Sequence, residues 1–141
     1  MLRLTSYLVL WSFLAEASCF AGQLCVHDLT VPGYPNLAKM AQIEGRITVS
    51  IKIAADGKVI SAKATGGNEV LLRATERNVR EWSFWPPEGV KKFPVRHSIT
   101  YIYRIVGKPV MEPPPPTVLF HLPDSVEITA QPPELQPSRS R

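Results

Sequence analysis

Residues 46–65 confine this chain to folds that contain an antiparallel hairpin. Ile47, Val49, Ile51 and Ile53 alternate with Arg46, Thr48, Ser50 and Lys52, which is the period of a strand with one face buried. Asp56-Gly57 follows, and glycine there takes the positive φ that a tight primed turn requires. The return strand is Lys58 to Thr65, with a weaker alternation from Val59 to Ala64.

The flanking segments supply helices and a further strand. Pro35 suits the first turn of a helix, and Asn36 to Gln42 is expected to form a short one. Its inner face would be Leu37, Met40 and Ala41, and Gly45 would end it. Gly66-Gly67-Asn68 breaks the return strand. Glu69 to Glu81 then reads as a second helix, with Leu72, Thr75, Val79 and Trp82 three or four apart. Acidic Glu69 near its start and basic Arg77 and Arg80 near its end suit the helix dipole. Beyond the turn-rich Pro86-Pro87-Glu88-Gly89, a second period-two stripe runs through Val95, His97, Ile99, Tyr101, Tyr103 and Ile105. Arg96, Ser98, Thr100 and Arg104 oppose it, and Ile102 is the apolar exception. The order α-β-β-α-β predicts an α+β domain with two helices packed on a three-stranded antiparallel sheet.

The two ends differ from this middle. Residues 1–21 have the layout of a secretory signal peptide, with Arg3, an apolar run from Leu8 to Leu14, and small residues at Ala15, Ala17, Ser18 and Ala21. That apolar run is about half of what a bilayer span needs. Cleavage after Ala17 leaves Cys19 and Cys25 to close a small disulfide loop, whereas cleavage after Ala21 leaves Cys25 alone. Residues 22–31 read as an extended lead-in. Nine of the 14 prolines lie from Pro109 onward, so residues 108–141 form a Pro-rich tail in which Pro113 to Pro116 favour polyproline II. Two short strands fit within it, at 117–122 and 126–129, enough for an extra hairpin. Gln131 to Arg141 reads as disordered.

Catalytic chemistry finds no support in the sequence. His27, His97 and His121 are isolated, no metal-ligand spacing occurs, and Glu44 and Asp56 are better explained by capping and turn roles. An enzyme, a cofactor, a metal and a small-molecule substrate are therefore not expected. From Gln23 to Val106 there are 12 Lys or Arg against 7 Asp or Glu, an excess suited to acidic partners or anionic lipid heads. These cations are scattered, however, which favours a solvated basic face and no nucleic-acid partner. Trp82 and Phe84 are expected in the core, as are Tyr101 and Tyr103, and Trp85 is expected to be partly exposed.

The ordered set Tyr34-Pro35, Ile43-Glu44-Gly45-Arg46, Ala55-Asp56-Gly57-Lys58, Trp82-Ser83-Phe84-Trp85-Pro86 and the stripe to Ile105 resembles the C-terminal domain of TonB, the periplasmic energy transducer of Gram-negative bacteria. The resemblance spans roughly Pro32 to Val106 and implies a TonB C-terminal-like domain over 32–107. It also implies a function: binding a short extended segment of an outer-membrane transporter, which adds as a strand beside the last strand of the domain. The partner-binding residues would then be Arg96, Ser98, Ile99, Thr100, Ile102 and Arg104, and Arg96 and Arg104 would guard the edge against aggregation. That edge is alternatively plain, or covered by the chain's own Thr117 to Thr129. The alternative function is a structural or self-associating envelope module, a homodimer through the same edge with no transporter partner. The implied location is the periplasm, or the inner membrane if the leader stays uncleaved. The apolar run of residues 8–14 is short for the family's long membrane helix, Gln23 to Val31 does not read as the family's Pro-rich spacer, and the Pro-rich segment here follows the domain. Val31 also stands where the family often has Gln.

Overall fold

The computed structural model describes residues 23–136. In chain order they form β1 (Cys25–Asp28), α1 (Asn36–Met40), β2 (Gly45–Ile53), β3 (Val59–Thr65), α2 (Glu69–Val79), β4 (Ser83–Trp85), β5 (Val95–Ile105), β6 (Thr117–His121) and β7 (Ser125–Ala130). The expected leader lies outside these residues.

Strand β2 carries the alternation that opens the sequence argument. Its residues Ile47, Val49, Ile51 and Ile53 are all buried, and it pairs antiparallel with β3 on one side and β5 on the other. Gly57 has φ +84° as its turn requires, while Asp56 does not have a positive φ. A primed turn with Asp56 as its first central residue needs a positive φ at that residue. The connection is instead a β-turn in which the Gly57 N–H donates to the Ala54 carbonyl (2.9 Å), with Gly57 as a left-handed bulge. Asp56 Oδ1 accepts from the Lys58 N–H (3.0 Å). A Cβ at Gly57 would fall 2.0 Å from the Phe84 carbonyl oxygen, so glycine is needed for space as well as for φ.

The main sheet is mixed and five-stranded, in the order β3-β2-β5-β7-β6, which corrects the expected three-stranded antiparallel sheet. The added strands come from the tail. Strand β7 runs parallel to β5, and β6 runs antiparallel to β7. Parallel pairing is possible because residues 106–116 and β6 bring the chain back before β7 begins. The alternation of Ser-Val-Glu-Ile-Thr-Ala then drives Val126, Ile128 and Ala130 into the core. Order also extends past Gln131, against expectation: the Val110 N–H donates to the Pro132 carbonyl (3.1 Å) and the Glu134 N–H donates to the Val110 carbonyl (2.8 Å). A second, two-stranded sheet pairs β1 with β4; neither segment is long enough to display a period. Cys25 in β1 is disulfide-bonded, and the chain's other cysteine, Cys19, lies outside the described residues.

The inner face of α1 differs from the expected one, whereas α2 and the residues just after it bury Thr75, Val79 and Trp82 as expected and differ at one leucine. Asn68 caps α2 by accepting the Val70 N–H on Oδ1 (2.9 Å), and Leu71, Thr75 and Val79 are its buried residues. The inward leucine is thus Leu71, four residues before Thr75, and Leu72 sits at the margin. In α1 only Ala38 is buried, while Leu37 is 68% exposed and Met40 is 49% exposed. The small Ala38 brings the helix close, and its carbonyl accepts the Ile43 N–H (2.8 Å). Gln42, at φ +52°, reverses the chain before Gly45, which begins β2.

The core's aromatics keep their polar tips satisfied, as burial demands. Trp82, Phe84, Tyr101 and Tyr103 are buried as expected. Asn78 joins several of them: its Oδ1 accepts from Tyr101 Oη (2.9 Å) and Trp82 Nε1 (3.1 Å), and its Nδ2 donates to the Thr30 carbonyl (2.8 Å). Tyr34 donates to the Ile43 carbonyl (2.6 Å) and meets the Tyr103 ring edge-on at 5.3 Å.

Candidate functional site

Strand β5 was the expected docking edge, and the register shows what lies beside each of its residues. Backbone groups alternate sides along a strand. The Thr100 N–H donates to the Asp124 carbonyl (2.9 Å) and the Val106 N–H to the Ala130 carbonyl (2.9 Å), so even-numbered residues of β5 turn their backbone away from β2. Of these, Thr100, Ile102 and Arg104 are opposite Ser125, Glu127 and Thr129 of β7. Arg104 Nε also lies 3.3 Å from Glu127 Oε1. The edge between Thr100 and Ile105 is therefore occupied by the chain itself. Ile99 is fully buried and opposite Val49, so its side chain is directed into the core. Arg96 and Ser98 remain on the surface, ahead of the point where β7 pairing begins. The β6–β7 turn ends at this point, with His97 Nε2 at 3.2 Å from the Pro123 carbonyl and 3.4 Å from Asp124 Oδ1.

Closing one edge of β5 moves the ends of the sheet to β3 and β6. On β3, α2 supplies partners for the outward backbone: the Ala64 N–H donates to Glu76 Oε1 (2.8 Å), and Arg80 donates to the Ala62 carbonyl (3.2 Å). On β6 the pairing of His121, Leu119 and Thr117 with Ser125, Glu127 and Thr129 leaves the backbone groups of Val118 and Phe120 facing outward. No hydrogen bond to them is made from other described segments. Branched and aromatic residues favour a strand over Thr117–His121, and Pro116 and Pro123 bound it. Phe120 anchors it, with its ring 6.3 Å from Trp82, whereas Leu119 on the opposite face is 53% exposed. An unpaired strand edge of this kind is a template for another extended segment.

Sequence reasoning pointed to β5 and passed over the outward groups of β6. The alternation in 117–121 was readable as a strand, but no local pattern tells which strand a tail segment will join. Other candidates resolve simply. Glu44 Oε1 accepts the Ile105 N–H (2.6 Å), a structural role. Trp85 is 59% exposed and packs edge-on against His27, with centroids 4.3 Å apart. Among the described residues no group of three or more His, Cys, Asp or Glu is placed to hold a metal ion, and no helix is long and apolar enough to cross a membrane.

A family model described as Gram-negative bacterial TonB protein C-terminal matches residues 30–105, just over half of the 141-residue chain. No curated protein matches, and no solved structure does.

Proposed function

We propose, from the premise that this chain belongs to the Gram-negative TonB C-terminal family, that it is a protein-binding module of the cell envelope serving energy-dependent transport. In this reading it is non-catalytic, acts in the periplasm after export, and recognises an extended segment of an outer-membrane transporter or another envelope protein by strand addition. The observation that carries the reading is the sheet's construction: β5 accepts one extended segment in parallel, and the outward groups of β6 offer the next place. Main-chain hydrogen bonds to Val118 and Phe120 would supply affinity, and the exposed face around Leu119 would supply selectivity.

Peptides from transporter N-termini, titrated against the isotopically labelled protein, test this. Addition at the open edge moves the amide signals of Val118 to Phe120. Displacement of β7 would instead move those of Arg96 to Arg104, returning the site to β5. Peptides that move neither set would overturn strand addition. The uncharged sequence of β6 also suits a second copy of the chain. In that case sedimentation reports a concentration-dependent dimer that excludes the peptide, and the protein is a self-associating module.

A further inference from the structure

The face of the sheet turned away from the helices carries a second recognition surface, independent of any strand edge. Across β3, β2 and β5 one row reads Ser61, Lys52, Arg96 and the next reads Lys63, Ser50, Ser98. In the row after that, Thr48 has a threonine on either side. These three rows hold three cations and six hydroxyls and contain no carboxylate. Lys52 and Arg96 are directly opposite each other, an arrangement of like charges that weakens a sheet. Nothing among the described residues relieves it: the ion pairs join Arg73 to Glu69 and Arg104 to Glu127, and Asp124 Oδ1 lies 3.4 Å from His97 Nε2. The carboxylates nearest in register, Asp124 and Glu127, are therefore already engaged. The first two rows line an open depression of about 550 Å³.

The geometry points to a docking surface for the phosphate groups of an anionic lipid membrane. Hydroxyls, an ammonium and a guanidinium all donate hydrogen bonds, and donors bearing charge are the strongest partners for phosphate oxygens. A solitary small anion would satisfy Lys52 and Arg96 and leave Lys63 out, whereas a surface of repeated phosphates meets all three. The three strands span about 10 Å and the three rows about 14 Å, from ordinary sheet spacings. Serine and threonine keep this area low, so a flat partner can approach. The sheet face and the β6 edge are distinct, so the protein could touch a membrane while its edge remains available.

Flotation of the purified protein with vesicles is the test, comparing phosphatidylcholine alone with phosphatidylcholine carrying about one-third phosphatidylglycerol. Binding only to the anionic vesicles is expected, and it should weaken steeply as salt shortens the Debye length. The combined variant Lys52→Gln, Lys63→Gln, Arg96→Gln should bind roughly a hundredfold more weakly, the loss anticipated for three cations near an anionic surface. Its thermal midpoint should not fall, because a like-charge pair is removed. A control with the same net charge, Lys39→Gln, Arg77→Gln, Lys108→Gln, should retain most binding. Equal loss in both variants would reduce the effect to net charge and overturn the proposal. So would vesicle binding that survives the first variant, or tripolyphosphate binding without vesicle binding. Failure here leaves the peptide titration unaffected, so the two readings fall separately.

Discussion

The two edges of the main sheet are protected in different ways. Along β3, Glu76 and Arg80 of α2 reach over and satisfy two outward backbone groups, the Ala64 N–H and the Ala62 carbonyl, so the edge is capped at those groups without another strand. Along β6, the outward groups of Val118 and Phe120 have no such cover among the described residues, and the strand holds no Lys, Arg, Asp or Glu to repel a neighbour. Charged side chains and short length are common ways of blunting an edge; β3 uses the first through its helix, and β6 relies on length and bounding prolines. One sheet therefore ends in a border capped by side chains and an available one. That availability depends on β7, which fixes β6 to the rest of the molecule.

The largest expected effect comes from loosening β7. Ile128 is fully buried, and Ile128→Ala should cost about 2–5 kcal/mol in urea unfolding, the range for buried aliphatic truncation. A cost below about 1 kcal/mol would mean the hairpin is weakly held and that β5 is the edge on offer. Next comes pH, which probes the buried tyrosines of the central strand β5 and Tyr34, whose ring meets Tyr103. Burial, with smaller contributions from Glu44 and Tyr103, pushes Tyr34 up to about 12. Burial also raises Tyr101 and Tyr103. The folded state thus holds these protons more tightly than the unfolded one. Stability present below pH 10 is lost as pH climbs past 10, at up to about 1.4 kcal/mol per pH unit for each tyrosine. Urea midpoints measured from pH 8 to 11 should stay level and then fall, and Tyr34→Phe should make the fall shallower.

Apart from the short β4, the helix-strand order from α1 to β5 was legible because two strands alternate cleanly and the helix is bracketed by Gly66-Gly67-Asn68 and Pro86. The five-strand sheet was not. Whether Ser125–Ala130 lies free, pairs in antiparallel or enters beside β5 in parallel is set by burial of Val126 and Ile128 against residues far away in sequence. The face of α1 and one leucine of α2 were misread for a related reason. In short helices the choice between Leu71 and Leu72, or between Leu37 and Ala38, is one of about 100° of rotation, and tertiary packing settles it. The candidate edge moved with the hairpin: the residues named on β5 are present as a strand, but four of the six, Ile99, Thr100, Ile102 and Arg104, face the core or lie along β7.

The sealed edge yields the next prediction. Replacing Glu76 and Arg80 together by Ala removes the partners of the Ala64 N–H and the Ala62 carbonyl, at a cost of about 1–3 kcal/mol for partly buried groups left unpaired. It also makes β3 resemble β6. Sedimentation equilibrium should then detect more self-association than the unaltered protein shows at the same concentration. If the double variant stays as monodisperse as its parent, side-chain capping is not what keeps this edge closed.

The smallest change in stability should give the sharpest reading of the open edge. Proline removes one N–H, and its effect depends on which side of the strand that group faces. The Leu119 N–H faces β7, so Leu119→Pro removes a ladder hydrogen bond, should break the hairpin pairing, and should destabilise by about 1–3 kcal/mol. The Val118 N–H faces outward, so Val118→Pro should cost less than about 1 kcal/mol, because an edge strand tolerates proline on its open side. The same variant should weaken peptide addition about tenfold, since one net hydrogen bond of about 1.4 kcal/mol corresponds to that factor. Adjacent residues would then separate folding from recognition: one proline unfolds the edge, while the other leaves it folded and closed to a partner. Peptide affinity unchanged in Val118→Pro would remove β6 from the binding reaction.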